Sequence, residues 1–354
     1  MTITGAYSIL HALVDMACAV LVMGVSRNGG LSVYYASLVV ILYDFFAFAL
    51  QFPFGMLADR LDRNALVSAS GCVLVAVSFT FSGYAFPACI VAGIGNALFH
   101  VGGGVDVLNI SERKAAPSGI YVSTGAMGLY LGCCWFESEA VRCFVTGALA
   151  AGAVLLILLS RKIRKDYNVH NEKCNGRPEW WSLPAGKTFV VYCVLFTVCI
   201  RGCFGLIMDF PWKSGFYTGL WAVSAVVLGK AVGGILGDLV GWKKTSVTSL
   251  LLAAVLFYPA FDNMICGILA LFFFNMTMPI TLTMMANLFP KRKGMAFGIT
   301  SATLFLGAAY VFAGFDRYLF QWSVIIGGTL LSALSLWAGF YCHEKTAAAH
   351  GEGQ

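Results

Sequence analysis

Charged residues are scarce in this chain. Only 11% of its 354 residues are Asp, Glu, Lys or Arg, and 59% are hydrophobic, whereas a soluble domain carries about 25% charged residues. Such a composition excludes an ordinary soluble protein and predicts many membrane-spanning segments. The formal net charge of +6 does not indicate nucleic-acid binding, because the basic residues lie in short segments between apolar runs.

Motifs for the common cofactors are also missing. The chain has no Gly-x4-Gly-Lys-Ser/Thr phosphate loop, no Ser/His/Asp arrangement and no Cys or His spacing typical of a metal site. Its twelve cysteines are scattered along apolar segments without a Cys-x-x-Cys pair, so we interpret them as small apolar residues. We therefore expect that the chain is not an enzyme and that it binds no cofactor and no metal ion. We also expect that it does not drive a reaction with ATP by itself.

Long apolar runs are what the sequence has instead. A helix that crosses a bilayer needs about 20 mainly apolar residues, and twelve such runs occur, six before and six after a hydrophilic segment. They divide the chain into a first bundle (1–160), a linker (161–187), a second bundle (188–342) and a tail (343–354). The predicted helices are 5–24, 33–54, 65–82, 84–109, 118–135, 141–160, 188–209, 215–236, 245–260, 263–289, 295–313 and 321–342.

The two halves repeat one another at a fixed offset. Gly55 and Asp59, at the end of the second run, correspond to Gly234 and Asp238 at the end of the eighth, 179 residues later in each case (234 − 55 and 238 − 59). Further pairs at this offset are Asn96 and Asn275, Arg113 and Arg292, Gly119 and Gly298, and Gly128 and Gly307. A period this long is not that of a solenoid. It predicts two pseudo-symmetric six-helix bundles.

The distribution of Lys and Arg predicts the orientation. With the N-terminus in the cytoplasm, most Lys and Arg residues fall in cytoplasmic segments, as the positive-inside rule requires. Both termini and the linker are then cytoplasmic, in a multi-pass protein of the cytoplasmic (inner) membrane. Because His11 and Asp15 interrupt the first run and no basic region precedes it, we expect a retained helix rather than a signal peptide.

This plan resembles the major facilitator superfamily, in which two six-helix halves of the same orientation form a parallel repeat. The Gly-x-Leu-x-Asp segments that begin at Gly55 and Gly234 are similar to the superfamily's cytoplasmic loop motif. The resemblance implies an all-α membrane fold of twelve helices that transports a solute by alternating access. It also implies a gating motif that latches the halves together, formed by Gly55, Asp59, Arg60, Arg63, Gly234 and Asp238.

The two copies of the motif differ in quality. The second copy fits the superfamily pattern through Gly241, whereas the first has Asp62 in place of Gly and Asn64 in place of a basic residue. The alternative interpretation is an ordinary stop-transfer loop that carries positive charges. Two copies at one repeat offset favour the gating motif.

A closer resemblance involves the first and fourth runs. The segments His11-Ala-Leu-Val-Asp15 and Gly93-Ile-Gly-Asn-Ala-Leu-Phe-His100 are similar to the fosmidomycin-resistance branch of the superfamily. Here Val101 stands where that branch has Pro, and Cys89 stands where the wider superfamily favours Arg. The resemblance implies export of a small organic compound, but no role of that Arg carries over.

Ionisable residues inside the apolar runs are the candidates for function, because each costs roughly 2.5–3.5 kcal/mol at the bilayer centre on insertion scales. We expect His11, Asp15, Asp44 and His100 to carry protons. Asp15 lies one helical turn after His11, so the two share a face. The alternative for each carboxylate is a fixed ion pair with a basic residue of the second half, and each His can be a satisfied core group.

Substrate contacts are expected from four other polar residues. Arg201 can bind a carboxylate or phosphate with two hydrogen bonds, and Lys230 can contribute a second positive charge or extend toward the cytoplasm. Asn96 and Asn275 can bind substrate or join neighbouring helices. The predicted function is proton-coupled export of a small organic solute by a monomer in the lipid bilayer. The alternatives are proton-linked import of an organic anion and a scaffold or receptor that does not transport.

Overall fold

The computed structural model describes residues 3–28, 31–166, 183–208, 210–312 and 322–349, and these are helical apart from short connections. The part of the predicted linker at 167–182 and the end of the predicted tail at 350–354 lie outside the described residues. The domain boundaries given above therefore stay a prediction.

Seven α-helices form the first half within the residues that the structure describes. The second predicted span is divided into α2 and α3 by a π-helical turn, and a 3₁₀ turn extends the third span. The helices are α1 (Ile3–Asn28), α2 (Val33–Asp44), α3 (Gln51–Leu61), α4 (Asn64–Ser78), α5 (Ala85–Ile110), α6 (Ala116–Trp135) and α7 (Glu139–Asp166).

The second half repeats this plan, and here the tenth predicted span is divided into α11 and α12. Each of the twelve predicted spans therefore corresponds to helix in the structure. The helices are α8 (Ala185–Ile207), α9 (Phe216–Val240), α10 (Trp242–Phe257), α11 (Met264–Asn275), α12 (Thr277–Leu288), α13 (Lys293–Tyr310) and α14 (Trp322–Ala349).

Proline explains why two spans are interrupted. A proline has no N–H to donate to the carbonyl four residues earlier, and its ring collides with that carbonyl. Pro53 removes the bond to residue 49, where the π-helical turn Phe45–Ala49 ends. Pro279 does the same to Asn275, the last residue of α11. Both spans were predicted as uninterrupted α-helices, and each crosses as one span with a local departure from α-helical geometry at these points.

The outer surface of the bundle is apolar. Leu158 on α7, Leu239 on α9 and Val255 on α10 are each more than 70% exposed, which would be costly in water over so large a surface. Within the described residues, nine helices are long and apolar enough to span a membrane. The three remaining predicted spans correspond to α6, α10 and α13, and α10, with 16 residues, is the short ninth span.

The two halves meet along two equivalent helix pairs, α3 with α13 and α6 with α9. Gly55 of α3 packs directly on the backbone of Gly294, and Gly234 of α9 packs on the backbone of Ala115. A Cβ on either glycine would overlap a carbonyl oxygen of the opposite half. The offset of 179 relates both contacts (234 − 55 and 294 − 115), so the repeat in the sequence is also a symmetry of the interface.

The backbone conformation explains why Asp62 can stand where the second copy of the motif has a glycine. Asp62 ends α3 with a φ of 49°, and its repeat equivalent Gly241 (62 + 179) ends α9 with a φ of 108°. Both copies need a positive φ at this position, and Asp is among the few non-glycine residues that tolerate the left-handed region. The first copy of the motif therefore keeps its geometry without the glycine.

Substitution of Gly55 tests the close approach of the two halves. We expect Gly55→Ala to destabilise the protein by about 1–3 kcal/mol, because the new methyl group meets rigid backbone. Gly24→Ala is the matched control, since a Cβ on Gly24 of α1 has no heavy atom within 4 Å and alanine favours the helix. The midpoint of thermal unfolding in detergent measures both effects. A Gly55→Ala midpoint equal to that of Gly24→Ala would contradict the interface.

Candidate functional site

A cavity of about 230 Å³ lies between the two halves. Its polar lining comes from both bundles, whereas most of the rest is apolar. Three lining residues are contributed by the first-half helices α1 and α5, one by α3, and two by the second-half helices α8 and α9. These residues are His11, Asp15, His100, Gln51, Arg201 and Lys230, and α13 adds the hydroxyl side chains of Thr300 and Ser301.

Three of them form a compact group, which we call the His–Asp cluster: His11, Asp15 and His100. The Nε2 atoms of the two imidazoles are 2.8 Å apart. One Asp15 oxygen lies 3.2 Å from Nε2 of His11, and the other lies 3.6 Å from Nε2 of His100. The α-helical spacing of four residues places the first two on one face of α1, and α5 supplies the third.

Backbone carbonyls fix the orientation of both rings. Nδ1 of His11 lies 2.7 Å from the carbonyl oxygen of Tyr121, and Nδ1 of His100 lies 2.9 Å from the carbonyl oxygen of Asn96. A carbonyl oxygen can only accept a hydrogen bond, so each Nδ1 carries a proton and donates it. In a neutral imidazole the Nε2 atom then has a lone pair and no proton.

The cluster therefore brings two lone pairs together. Two unprotonated Nε2 atoms at 2.8 Å repel one another unless a cation lies between them, which can be a shared proton or a metal ion. The carboxylate of Asp15 supplies the balancing negative charge, and the Asn96 side chain donates a hydrogen bond of 3.0 Å to one of its oxygens. Asn96 thus holds the acid in place rather than lining the cavity.

Arg201 and Lys230 line the cavity from the second half. Arg201 is 7% exposed, and its guanidinium donates hydrogen bonds to the hydroxyls of Thr277 at 2.8 Å and Thr281 at 3.3 Å. Lys230 donates to the carbonyl of Val122 at 3.4 Å. Among the described residues no carboxylate lies within 4 Å of either cation, so the alternative of a fixed ion pair is not formed there.

Two candidate residues lie apart from this cavity. Asp44 is the last residue of α2 and is half-buried just before the π-helical turn. The Asn275 side chain donates to the carbonyl of Leu271 in its own helix at 2.8 Å. The structure thus brings His11, Asp15, His100, Arg201 and Lys230 to the cavity and leaves these two outside its lining.

Gln51 was not among the predicted site residues. This residue is 1% exposed, donates to the carbonyl of Ala47 at 2.7 Å, and its Oε1 has no hydrogen-bond partner among the described residues. It lines the cavity and is the repeat equivalent of Lys230 (51 + 179). The 179-residue offset from Lys230 could have identified Gln51 in the sequence. The two threonines that hydrogen-bond Arg201 were harder to identify, because only their spacing of four residues on one helix indicates a shared face.

The two copies of the Gly-x-Leu-x-Asp motif form a second polar site at one end of the molecule. The two oxygens of Asp59 accept hydrogen bonds from the backbone N–H groups of Gly294 at 2.7 Å and Met295 at 2.8 Å. These are the first N–H groups of α13, which have no partner within their own helix. An acid in this position also interacts favourably with the helix dipole.

Asp238 makes the equivalent contacts in the opposite direction. Its two oxygens accept hydrogen bonds from the N–H groups of Ala115 and Ala116 at the start of α6, both at 2.8 Å. We call the two carboxylates with their amides the latch. Each half thus caps a helix of the other half, whereas Arg60 and Arg63 are exposed beside it.

Comparisons with known proteins find similarity in structure but no match in sequence. No family model matches the chain, and no curated protein matches it. The E. coli fucose:proton symporter superposes with a TM-score of 0.62 at 12% identity, over 96% of this chain and 97% of the symporter. A second structure, of the major facilitator superfamily transporter FucP in the outward conformation, gives 0.58 at 13% identity, over 96% and 99%.

The human organic anion transporter MFSD10 is similar to the same extent. It gives a TM-score of 0.64 at 14% identity, over 96% of this chain and 98% of the transporter. At such identities the likeness shows the fold, which here comprises twelve spans in two bundles.

Removing one acceptor tests the latch. In Asp59→Asn one oxygen is replaced by an amide that cannot accept from the N–H groups of α13, and a hydrogen bond to a charged group contributes about 1.5–3 kcal/mol. We expect the latch end to open more often. Spin labels on the exposed residues Leu61 and Leu239 would then show a larger population of long distances.

Glu112→Gln is the matched control for this experiment, because Glu112 is exposed at the same end and takes no part in the latch. An Asp59→Asn distance distribution identical to that of the control would show that the latch does not hold the two halves together.

Proposed function

We propose that this chain, which has the major facilitator fold, is a secondary transporter that moves a small solute across the cytoplasmic membrane by alternating access. One observation carries the proposal: ionisable side chains of both halves line a single cavity at their interface. Two bundles that rock about such a site expose it first to one side and then to the other. The positive-inside pattern supports cytoplasmic termini.

The charge of the cavity favours an organic anion as the solute. Arg201 and Lys230 have no carboxylate partner among the described residues, and such cations attract a carboxylate or phosphate. Gln51 Oε1 is an unpaired acceptor, which favours a solute that also carries a hydrogen-bond donor. A cavity of about 230 Å³ lies just below the usual range of roughly 300–1,000 Å³ for ligand sites, so the solute is small.

The His–Asp cluster is proposed as the coupling site. It lies in the same cavity as the two cations but on the opposite half, and one proton between the imidazoles satisfies both Nε2 atoms while Asp15 balances its charge. Loss of that proton leaves two facing lone pairs, which push α1 and α5 apart. Asp44 is a second candidate carrier, outside the cavity lining.

Export is the proposed direction, supported by the resemblance of the first and fourth spans to the fosmidomycin-resistance branch. The latch closes the end that we assign to the cytoplasm, which is the arrangement expected of a state that faces outward. Import of the same anion with protons is the second candidate, which the positive charge of Arg201 and Lys230 favours. A scaffold that does not transport is the third.

Asp15→Asn tests the coupling. The variant loses the charge that balances the imidazole proton, so in proteoliposomes we expect it to carry an anion down its own gradient without a response to a pH gradient. The probes are labelled small carboxylates and phosphates. Asp62→Asn, at the end of α3 and outside the cavity lining, should behave as the unmodified protein. Full pH-driven accumulation by Asp15→Asn would remove the cluster from the coupling.

Arg201 and Lys230 are tested by substrate affinity. We expect Arg201→Gln and Lys230→Gln each to raise KM for the anion about tenfold or more, the equivalent of about 1.4 kcal/mol, because each removes one positive charge from the cavity. Lys213→Gln removes an exposed cation elsewhere and should leave KM unchanged. Equal KM values for all four proteins would contradict an anion site.

A further inference from the structure

We propose that His11, Asp15 and His100 form a binding site for a divalent transition-metal ion in the wall of the cavity. The inference deepens the transport proposal and rests on it in one respect, since it takes the cavity to be the place where the solute binds. The site itself is argued from the donor atoms, their spacing, their orientation and the space in front of them.

The donor set suits such an ion. Two imidazole nitrogens and one carboxylate oxygen are ligands shared by zinc, iron, cobalt and nickel sites. Bonds of about 2.0–2.2 Å at tetrahedral or octahedral angles place neighbouring ligand atoms about 2.8–3.6 Å apart. The two nitrogens are 2.8 Å apart, and the two oxygens of Asp15 lie 3.2 Å from Nε2 of His11 and 3.6 Å from Nε2 of His100. With one donor atom from each residue, the three donors all lie within 4.8 Å of one another, which is close enough for one ion to contact all three side chains.

The orientation of the donors is that of metal ligands. An imidazole that binds a metal through one nitrogen almost always donates its other N–H to a carbonyl or carboxylate, which fixes the ring and its tautomer. Both rings do so here, through the carbonyls of Tyr121 and Asn96. The Asn96 side chain also holds Asp15, so every donor has an outer hydrogen bond that aims it at the centre.

A metal ion satisfies this arrangement more completely than a shared proton does. One proton joins the two Nε2 atoms but leaves the oxygen of Asp15 that lies 3.2 Å from His11 without a hydrogen of its own to accept. A cation at the centre of the three donors contacts both nitrogens and the oxygen at once. A proton and the ion would occupy the same position, so they bind in alternation.

The space in front of the cluster is kept open by a glycine. A Cβ at Gly125 of α6 would overlap both Oδ2 of Asp15 and Nε2 of His11, and Gly125 lines the cavity beside them. Three protein ligands leave at least one coordination position free, and here that position faces the cavity. A fourth ligand can therefore come from the solute.

The remaining charges indicate which solute this is. Arg201 and Lys230 line the same cavity and disfavour a bare dication, but they attract an anion that is itself bound to the metal. The solute class that fits both walls is a small organic anion that chelates a divalent transition metal. Its free acidic group would contact Arg201 and Lys230, and its metal would be held by the His–Asp cluster.

Cobalt binding to the purified full-length protein tests the site, with Co²⁺ alone as the probe and without a histidine tag. We expect one equivalent of Co²⁺ to give ligand-field absorption in the visible range, which Zn²⁺ abolishes and excess Mg²⁺ does not. Asp15→Asn and His100→Gln should each weaken Co²⁺ binding about 100-fold or more. The matched controls Asp62→Asn and His343→Gln should bind as the unmodified protein does.

A second variant keeps the test decisive if removal of a ligand prevents folding. Gly125→Ala retains all three donors but blocks the space before them, and we expect it to lose Co²⁺ binding while its thermal unfolding remains cooperative. Absence of Co²⁺ absorption in the unmodified protein would overturn the site, and so would binding that persists in both ligand variants.

The transport proposal would survive such a result, because anion flux is measured separately in proteoliposomes. Conversely, Co²⁺ binding at the cluster in a protein without any flux would overturn transport and leave the metal site standing.

Discussion

The cost of an ionisable side chain in hydrocarbon is the constraint on which this structure depends. A charge at the bilayer centre costs several kcal/mol unless it faces other polar groups or water. Six candidates of this kind lie in predicted spans here, and the fold gives five of them one common surface, the cavity between the halves, whereas Asp44 lies outside it. Apolar faces of other helices are left to the lipid, as the exposed Leu158 of α7 and Val255 of α10 show.

The cavity exists because the two halves are held together at one end, whereas the space between them is not filled along the rest of their length. Gly55 and Gly234 let the helices approach closely, and the latch carboxylates satisfy N–H groups of the opposite half. Because each half caps the other through equivalent residues, both contacts break when the halves separate at this end. The repeat thus provides a symmetric closure that a single loop motif would not.

Much of the fold could be predicted from the sequence, since hydropathy, charge and the 179-residue offset are properties of the chain itself. The offset even relates contacts between residues that were not predicted to meet, such as Asp59 with Gly294 and Asp238 with Ala115. The interruptions at Pro53 and Pro279 were missed because hydropathy does not register a lost backbone hydrogen bond. The acid Asp62 departed from the family pattern in residue type but not in backbone conformation.

The site was predictable only in part. The i, i+4 spacing places His11 and Asp15 together, but His100 is 89 residues from His11, and only packing of α5 on α1 brings it to them. The ring orientation depends on the carbonyl of Tyr121, which carries no side-chain signal. The expectation of no metal site was based on ligand spacing along the chain. Such spacing does not reveal a cluster whose residues come from two helices.

The most direct test of the account is whether the cavity holds water. Ser301 lines the cavity, and Val255 is exposed on the lipid-facing surface. Single cysteines at these positions in a cysteine-free background can be treated with a charged, membrane-impermeant thiol reagent. The account predicts that Ser301→Cys reacts in the membrane and Val255→Cys does not. An unreactive Ser301→Cys beside a reactive Val255→Cys would contradict it.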